Sequence, residues 1–119
     1  KNMERMKGGE IFVPKIPSVR IIDLAKAMAP NLPVKIIGIR PGEKLHEIMC
    51  PFDDSHLTIE FMDYFVITPS IRFFSCENDF TKNSLGEEGK AVDLGSEYNS
   101  GTNPHFLTLD EITVYNSKL

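Results

Sequence analysis

The apolar positions along the chain change period several times, and each change predicts an element. Residues 10–14 alternate, with Ile11 and Val13 on one face and Phe12 on the other, as in a short strand. Pro17-Ser18 opens a helix with Ser18 as its N-cap. Ile21, Ala25 and Met28 form the apolar stripe of that helix, and Pro30 closes it. Residues 34–39 are an apolar run broken by Lys35 and Gly38, which predicts a buried strand. A Pro41-Gly42 turn follows, then a helix with Leu45, Ile48 and Met49 at i, i+3 and i+4 that stops before Pro51. Residues 64–68 and 71–74 are strand candidates separated by Pro69. Residues 77–104 are polar and rich in Gly, Asn, Ser and charge, which predicts a long, partly mobile loop region. Thr108-Leu109-Asp110-Glu111 is a capping box flanked by Leu107 and Ile112 as a staple, so a C-terminal helix starts there. Residues 1–7 read as the last turns of a helix that ends on Gly8 in the C′ position. With no N-cap before Lys1, that reading expects residues upstream of it.

Composition narrows the class. At 119 residues, 41% hydrophobic and 25% charged, the chain suits one α/β domain with a modest core. The net charge of −4 argues against a sequence-independent nucleic-acid binder. No apolar run approaches the ~20 residues of a bilayer span, and the first residues have no apolar signal core. Cys50 and Cys76, without CxxC spacing, read as reduced thiols, in keeping with a cytoplasmic location. Met3, Met6, Phe73 and Phe74 read as core packing.

Candidate chemistry concentrates at residues 39–47. A strand end feeding a helix N-terminus is an anion site, because the first helical N–H groups lack backbone partners. Gly42 would let a ligand approach the backbone there. Arg40 brings a permanently charged planar fork suited to phosphate. The competing reading is that Arg40 simply pairs with Glu43 or Glu47, and residue types alone do not separate the two. His46 and Cys50 share a predicted helix face, but a zinc site needs further ligands at suitable spacing. Asp53-Asp54-Ser55-His56 fits turn formation and capping better than a calcium loop. No G-x-G-x-x-G and no Tyr-x-x-x-Lys is present, so no dinucleotide loop is expected in these residues.

Three segments in order carry a family resemblance: Gly8-Gly9-Glu10-Ile11-Phe12-Val13-Pro14-Lys15, residues 39–47 with their Arg-Pro-Gly-Glu-Lys, and Asp53-Asp54-Ser55-His56. Together they resemble the inverting UDP-N-acetylglucosamine 4,6-dehydratases, extended short-chain dehydrogenase/reductases of bacterial surface-polysaccharide synthesis. The likeness fades between about 74 and 94 and matches the last third or so of such an enzyme. The resemblance implies an α/β fold: the small C-terminal substrate-binding part, without the Rossmann cofactor domain. It makes residues 1–119 that portion, with an ordered part at about 1–76, a polar loop region at about 77–104 and the helix start at 105–119.

The resemblance also implies roles. The position of Arg40 binds the UDP pyrophosphate, and Pro41, Gly42 and Glu43 complete the substrate-binding motif, Glu43 facing nucleotide hydroxyls. Met3 to Met6 and the loop at 99–103 would border the substrate cleft. The implied parent is a lyase that uses NADP bound elsewhere. Water leaves across C5 and C6 of the sugar with inversion at C5, and the products feed pseudaminic acid or related glycans. The partners implied are a UDP-sugar, the Rossmann portion and further copies in a homo-oligomer, with no nucleic acid or membrane. The portion alone would have no catalytic residues, no cofactor and no metal. Exposed apolar faces at Ile36 and Val66 are expected where the Rossmann portion packs. Two rivals stand: another nucleotide-sugar dehydratase or epimerase of capsule synthesis, and a free-standing non-catalytic binding module.

Overall fold

The computed structural model describes residues 2–71 and 79–118. The chain divides into two compact units: Lys1–Lys15 with Ile48–Tyr98, and Ile16–Glu47 with Asn99–Leu119.

The first unit is built on an antiparallel sheet. Its strands are β1 (Ile11–Pro14), β3 (Thr58–Glu60), β4 (Tyr64–Ile67) and β5 (Lys90–Ala91), in the order β1-β4-β3-β5. A separate two-stranded sheet joins β2 (Ile48–Cys50) to β6 (Tyr98–Asn99). The register explains the core. Phe12 lies opposite Val66, Val66 opposite Ile59, and Ile59 opposite Ala91, so one row of side chains shares a face. Ile59, Phe61, Tyr64 and Val66 are buried in one cluster, with Phe12 and Phe80 packed against it. Phe61 stacks on Tyr64 with ring centroids 4.7 Å apart. Each such aliphatic burial contributes about 1.5–3 kcal/mol. On the other face Val13 is buried opposite Phe65, which meets the Tyr98 ring at 4.9 Å.

The expected strands at 10–14 and 64–68 are therefore present, and Val66 is 3% exposed rather than an open strand face. β4 is an inner strand, covered on the Val66 side by Phe12 and Phe80. The strand candidate at 71–74 lies almost wholly outside the described residues, as do Cys76 and the pair Phe73 and Phe74.

Residues 2–7 do not carry the helical turns expected before Gly8. They hold a single 3-10 turn, Met3–Arg5, after which Met6 is already extended. Gly8, at φ 116°, shapes a turn in which the Glu10 carboxylate accepts from the backbone N–H groups of Lys7 and Gly8. Met3 and Met6 are exposed, not core, because one 3-10 turn has no apolar stripe to bury them.

The polar stretch expected as a loop supplies β5, β6 and two members, Asn83 and Glu87, of a connected polar network. The Arg5 guanidinium grips Glu87 through Nε at 2.7 Å and Nη2 at 2.9 Å. Asn83 donates to the Tyr64 hydroxyl at 2.8 Å and also to Glu87. Gly89 is required sterically: a Cβ there would lie 2.7 Å from Ile59 and Phe61 side-chain atoms.

In the second unit, α1 (Ile21–Met28) packs against α2 (Leu109–Asn116). The capping box at α2 is formed in full: Glu111 N–H donates to Thr108 Oγ1, and Thr108 N–H donates to Glu111 Oε2 at 2.8 Å. Ile112, one member of the expected staple, is buried. α1 spans the expected stripe and ends at Met28, with Ala29 as its C-cap, but Ser18 is not its N-cap. Ser18 is buried in a β-bridge to Phe106: its N–H donates to His105 O at 2.8 Å and its carbonyl accepts from Leu107 N–H at 2.9 Å. Its Oγ accepts from Asn103 Nδ2 at 3.0 Å. The hydroxyl is thus already used, and the helix begins at Ile21 after an extended Arg20.

Two central expectations fail. Residues 34–39 form no strand, and the run is exposed, with Ile36 at 78%. A strand needs a paired edge and a covered face, and among the described residues 34–39 have neither. No helix follows the Pro-Gly turn either. Ile48–Cys50 is strand β2 instead. The backbone of Glu47 is already drawn into extended pairing, donating to Ser100 Oγ at 2.9 Å and accepting from Ser100 N–H at 2.9 Å. That ladder overrides a weak helical spacing.

Candidate functional site

Arg40-Pro41-Gly42-Glu43 is a hydrogen-bonded β-turn. Glu43 N–H donates to Arg40 O at 3.1 Å. Pro41 presets its φ, and Gly42 sits at φ 85°, the left-handed geometry of a type II turn. A Cβ at Gly42 would meet nothing within 4 Å, so glycine is demanded here by conformation, not by crowding.

The turn brings the two charged residues together. Arg40 Nε lies 3.0 Å from Glu43 Oε1, and Arg40 N–H donates to Glu43 Oε2 at 2.8 Å. Arg40 is 74% exposed at its side chain. The pairing with Glu43 set against the anion-site reading above is therefore formed in this structure, while no helix N-terminus stands behind the turn. The anion-binding capacity that remains is the guanidinium itself, an exposed fork on a turn whose backbone is fixed by Pro and Gly.

Other candidate residues take structural places. His46 does not share a helix face with Cys50; its ring lies over Gly101, where a Cβ would come within 2.6 Å of Nδ1. Cys50 is buried, and burial followed by the nearby Asp54 charge pushes its thiol up to about 11. It is a poor nucleophile or ligand in that state. Phe52–Leu57 is a 3-10 helix, so the Asp53-to-His56 segment is turn structure as expected. His56 Nδ1 lies 2.9 Å from Asp53 O, and Ser55 Oγ accepts from Gly95 N–H at 2.9 Å. Among the described residues no three His, Cys, Asp or Glu side chains gather as a metal site. In the loop at 99–103, Asn99 Oδ1 accepts from Gly101 N–H and Thr102 N–H, both at 2.8 Å, and closes the turn on itself.

α1 follows Arg20 and α2 follows Thr108, and neither helix is entered through a glycine turn that would admit a pyrophosphate to its first N–H groups. The glycines with positive φ stand elsewhere, Gly8 and Gly9 before strand β1.

Sequence reasoning missed the Arg5–Glu87–Asn83–Tyr64 network, since 82 positions separate Arg5 from Glu87 and no local pattern joins them. The Arg5 hydrogen bond, then Asn83, hold the Glu87 carboxyl down at about 2. Burial raises the Tyr64 hydroxyl. The network borders a cleft lined by Lys7, Phe12, Phe80 and Lys82 among others, of about 10 Å³, room for about one water.

The class follows from comparison with known proteins. The family described as polysaccharide biosynthesis protein matches residues 1–69, more than half of the chain, and the chain belongs to that family. Within it, the chain is 60% identical over 111 residues to the UDP-N-acetylglucosamine 4,6-dehydratase (inverting) of Campylobacter jejuni serotype O:2, a match covering 93% of this chain and 33% of that protein. The protein of the same name from C. jejuni serotype O:23/36 is 58% identical over the same shares. An uncharacterized membrane protein of Methanocaldococcus jannaschii is 43% identical over 74 residues, 53% of this chain and 22% of that one. The X-ray structure of Pen from Bacillus thuringiensis superposes with a TM-score of 0.68 at 27% identity, over 98% of this chain and 34% of that one. The chain thus spans about a third of the length of the curated relatives it matches. The resemblance drawn from three short segments extends over nearly the whole chain, and the mixed α/β fold is shared with Pen. No helix among the described residues is long and apolar enough to cross a membrane.

Proposed function

We propose that this chain is the UDP-sugar-binding, C-terminal portion of an NADP-dependent inverting UDP-N-acetylglucosamine 4,6-dehydratase, a cytoplasmic lyase of surface-glycan synthesis of the pseudaminic acid type. The observation that carries the reading is the turn at Arg40-Pro41-Gly42-Glu43, with an exposed guanidinium on a fixed backbone, in a chain 60% identical to a relative bearing that name. Arg40 takes the pyrophosphate through paired charge-assisted hydrogen bonds. Pro41 and Gly42 hold the turn, and Glu43 accepts from nucleotide hydroxyls, the polar groups a carboxylate suits beside phosphates. Proton transfer and NADP belong to the portion of the relatives' length outside these residues; this chain by itself is inactive. The exposed apolar run at 34–39 supports a further portion that covers it.

The test is calorimetric titration of UDP into the gene product carrying this chain. Arg40→Ala is expected to weaken binding by about 1.5–3 kcal/mol, roughly ten- to a hundredfold. Arg40→Lys recovers part of this, because an ammonium cannot reproduce the fork. The melting temperature should hardly move, since an exposed ion pair contributes only about 0–1 kcal/mol. Unchanged UDP affinity in Arg40→Ala would end the assignment.

A further inference from the structure

We infer that Glu43 is a positioning residue for Arg40: it clamps the guanidinium in place before any ligand arrives. The inference rests on the reading of this turn as an anion site and adds a role that direct contact with nucleotide hydroxyls does not contain. Both oxygens of the Glu43 carboxylate are committed to one residue. Oε2 accepts from the Arg40 backbone N–H at 2.8 Å, and Oε1 lies 3.0 Å from Arg40 Nε. The carboxylate therefore ties the far part of the arginine side chain to its own backbone. The turn fixes the reach, because Glu43 N–H is itself bonded to Arg40 O at 3.1 Å and Gly42 holds the left-handed corner at φ 85°.

A free arginine on an exposed turn samples many rotamers, and binding an anion must pay to order it. Engaging the guanidinium at its Nε side removes much of that freedom in advance. The contact is made at Nε, and among the described residues no other group pairs with the two terminal nitrogens. A guanidinium has five donors in a fixed fork, so one carboxylate at Nε does not exhaust it. A phosphate can take the outer edge while Glu43 keeps the inner one. The negative charge of Glu43 opposes phosphate binding, but it lies on an exposed turn where solvent and salt screen it. Ordering and repulsion thus act in opposite directions, and a comparison of neutral variants separates them.

The experiment titrates inorganic pyrophosphate, which has no hydroxyl-bearing sugar, into the gene product carrying this chain at physiological ionic strength. Glu43→Gln and Glu43→Ala both lose the charge, so the loss of repulsion cancels between them. Glutamine keeps one carbonyl oxygen that accepts from Arg40; alanine keeps none. Glu43→Ala should bind pyrophosphate about two- to tenfold more weakly than Glu43→Gln, the range set by ordering one long side chain. In an Arg40→Ala background that difference should vanish. NMR relaxation of the Arg40 Nε–H signal in the ligand-free protein should show a rigid group in the parent and a mobile one in Glu43→Ala. Equal pyrophosphate affinity of the two variants, with UDP binding weakened in both, would overturn the inference and leave Glu43 acting on hydroxyls alone. Arg40→Ala with unchanged UDP affinity would instead remove the anion site on which the inference stands.

Discussion

The two units spend their apolar residues differently. In the first, Ile59, Phe61, Tyr64 and Val66 are buried together in one sheet-backed cluster. In the second, Ile112 is a buried apolar residue, while Leu32, Val34, Ile36, Ile37 and Ile39 are exposed. The candidate site lies on the second unit, held by a Pro-Gly turn and one ion pair. Binding residues commonly sit on such lightly packed loops, because local openings there cost little. The lesson is that order at Arg40 comes from turn chemistry, whereas order at Tyr64 comes from packing.

That contrast can be broken by deletion. Phe61→Ala should cost about 3–5 kcal/mol in the first unit, since Phe61 is 4% exposed and stacked on Tyr64. Leu45→Ala in the second should stay within about 0.5 kcal/mol, because Leu45 is 81% exposed. Native-state hydrogen exchange reads the units separately, as amide protection in β3 and β4 against that in α1 and α2. Equal losses in both units would show that they unfold as one.

Glycines sharpen the same distinction. Gly89→Ala should cost about 1–3 kcal/mol by overpacking against Ile59 and Phe61. Gly42→Ala meets open space, so only the left-handed backbone resists it, at about 1–2 kcal/mol. Exchange protection should fall across the sheet for Gly89→Ala and only around residues 40–43 for Gly42→Ala. A sheet-wide effect from Gly42→Ala would contradict local turn control.

At α2, Thr108→Ala removes the capping box and should cost about 1 kcal/mol, read as lost protection in the first turn of the helix. Thr108→Asn should restore most of it, and no loss in Thr108→Ala would mean that packing of Ile112 alone sets this helix.

The smallest effect concerns pH. Glu87 is held down at about 2 in the folded chain, from an ordinary 4.5. Its contribution to the first unit is therefore present above about pH 4.5 and is lost as pH falls through that window towards 2. Arg5 stays charged throughout, since its partner raises an already high pKa. Glu87→Gln should flatten the acid dependence of protection in β4. An unchanged acid slope would show that the pair with Arg5 is incidental. Glu111 is also lowered, by Thr108, so α2 weakens in the same direction on acidification.

What the residues determined unaided was local. The capping box at Thr108, the span of α1, the strands around residues 11–14 and 64–67, and the Pro41-Gly42 turn each follow from bonds or dihedral limits within a few positions. The candidate site was legible to the same extent: the turn and the approach of Arg40 to Glu43 are short-range facts. Tertiary structure decided the rest. Residues 45–49 have helical spacing, yet Glu47 pairs with Ser100, 53 positions away, and the chain is extended there. Ser18 looks like a helix cap, yet Asn103 and the bridge to Phe106 claim it. β5 and β6 are two residues each, too short for any period, and exist because β3 and β2 offer them edges. A backbone group takes the best partner within reach, and when that partner is far along the chain, no local pattern records it.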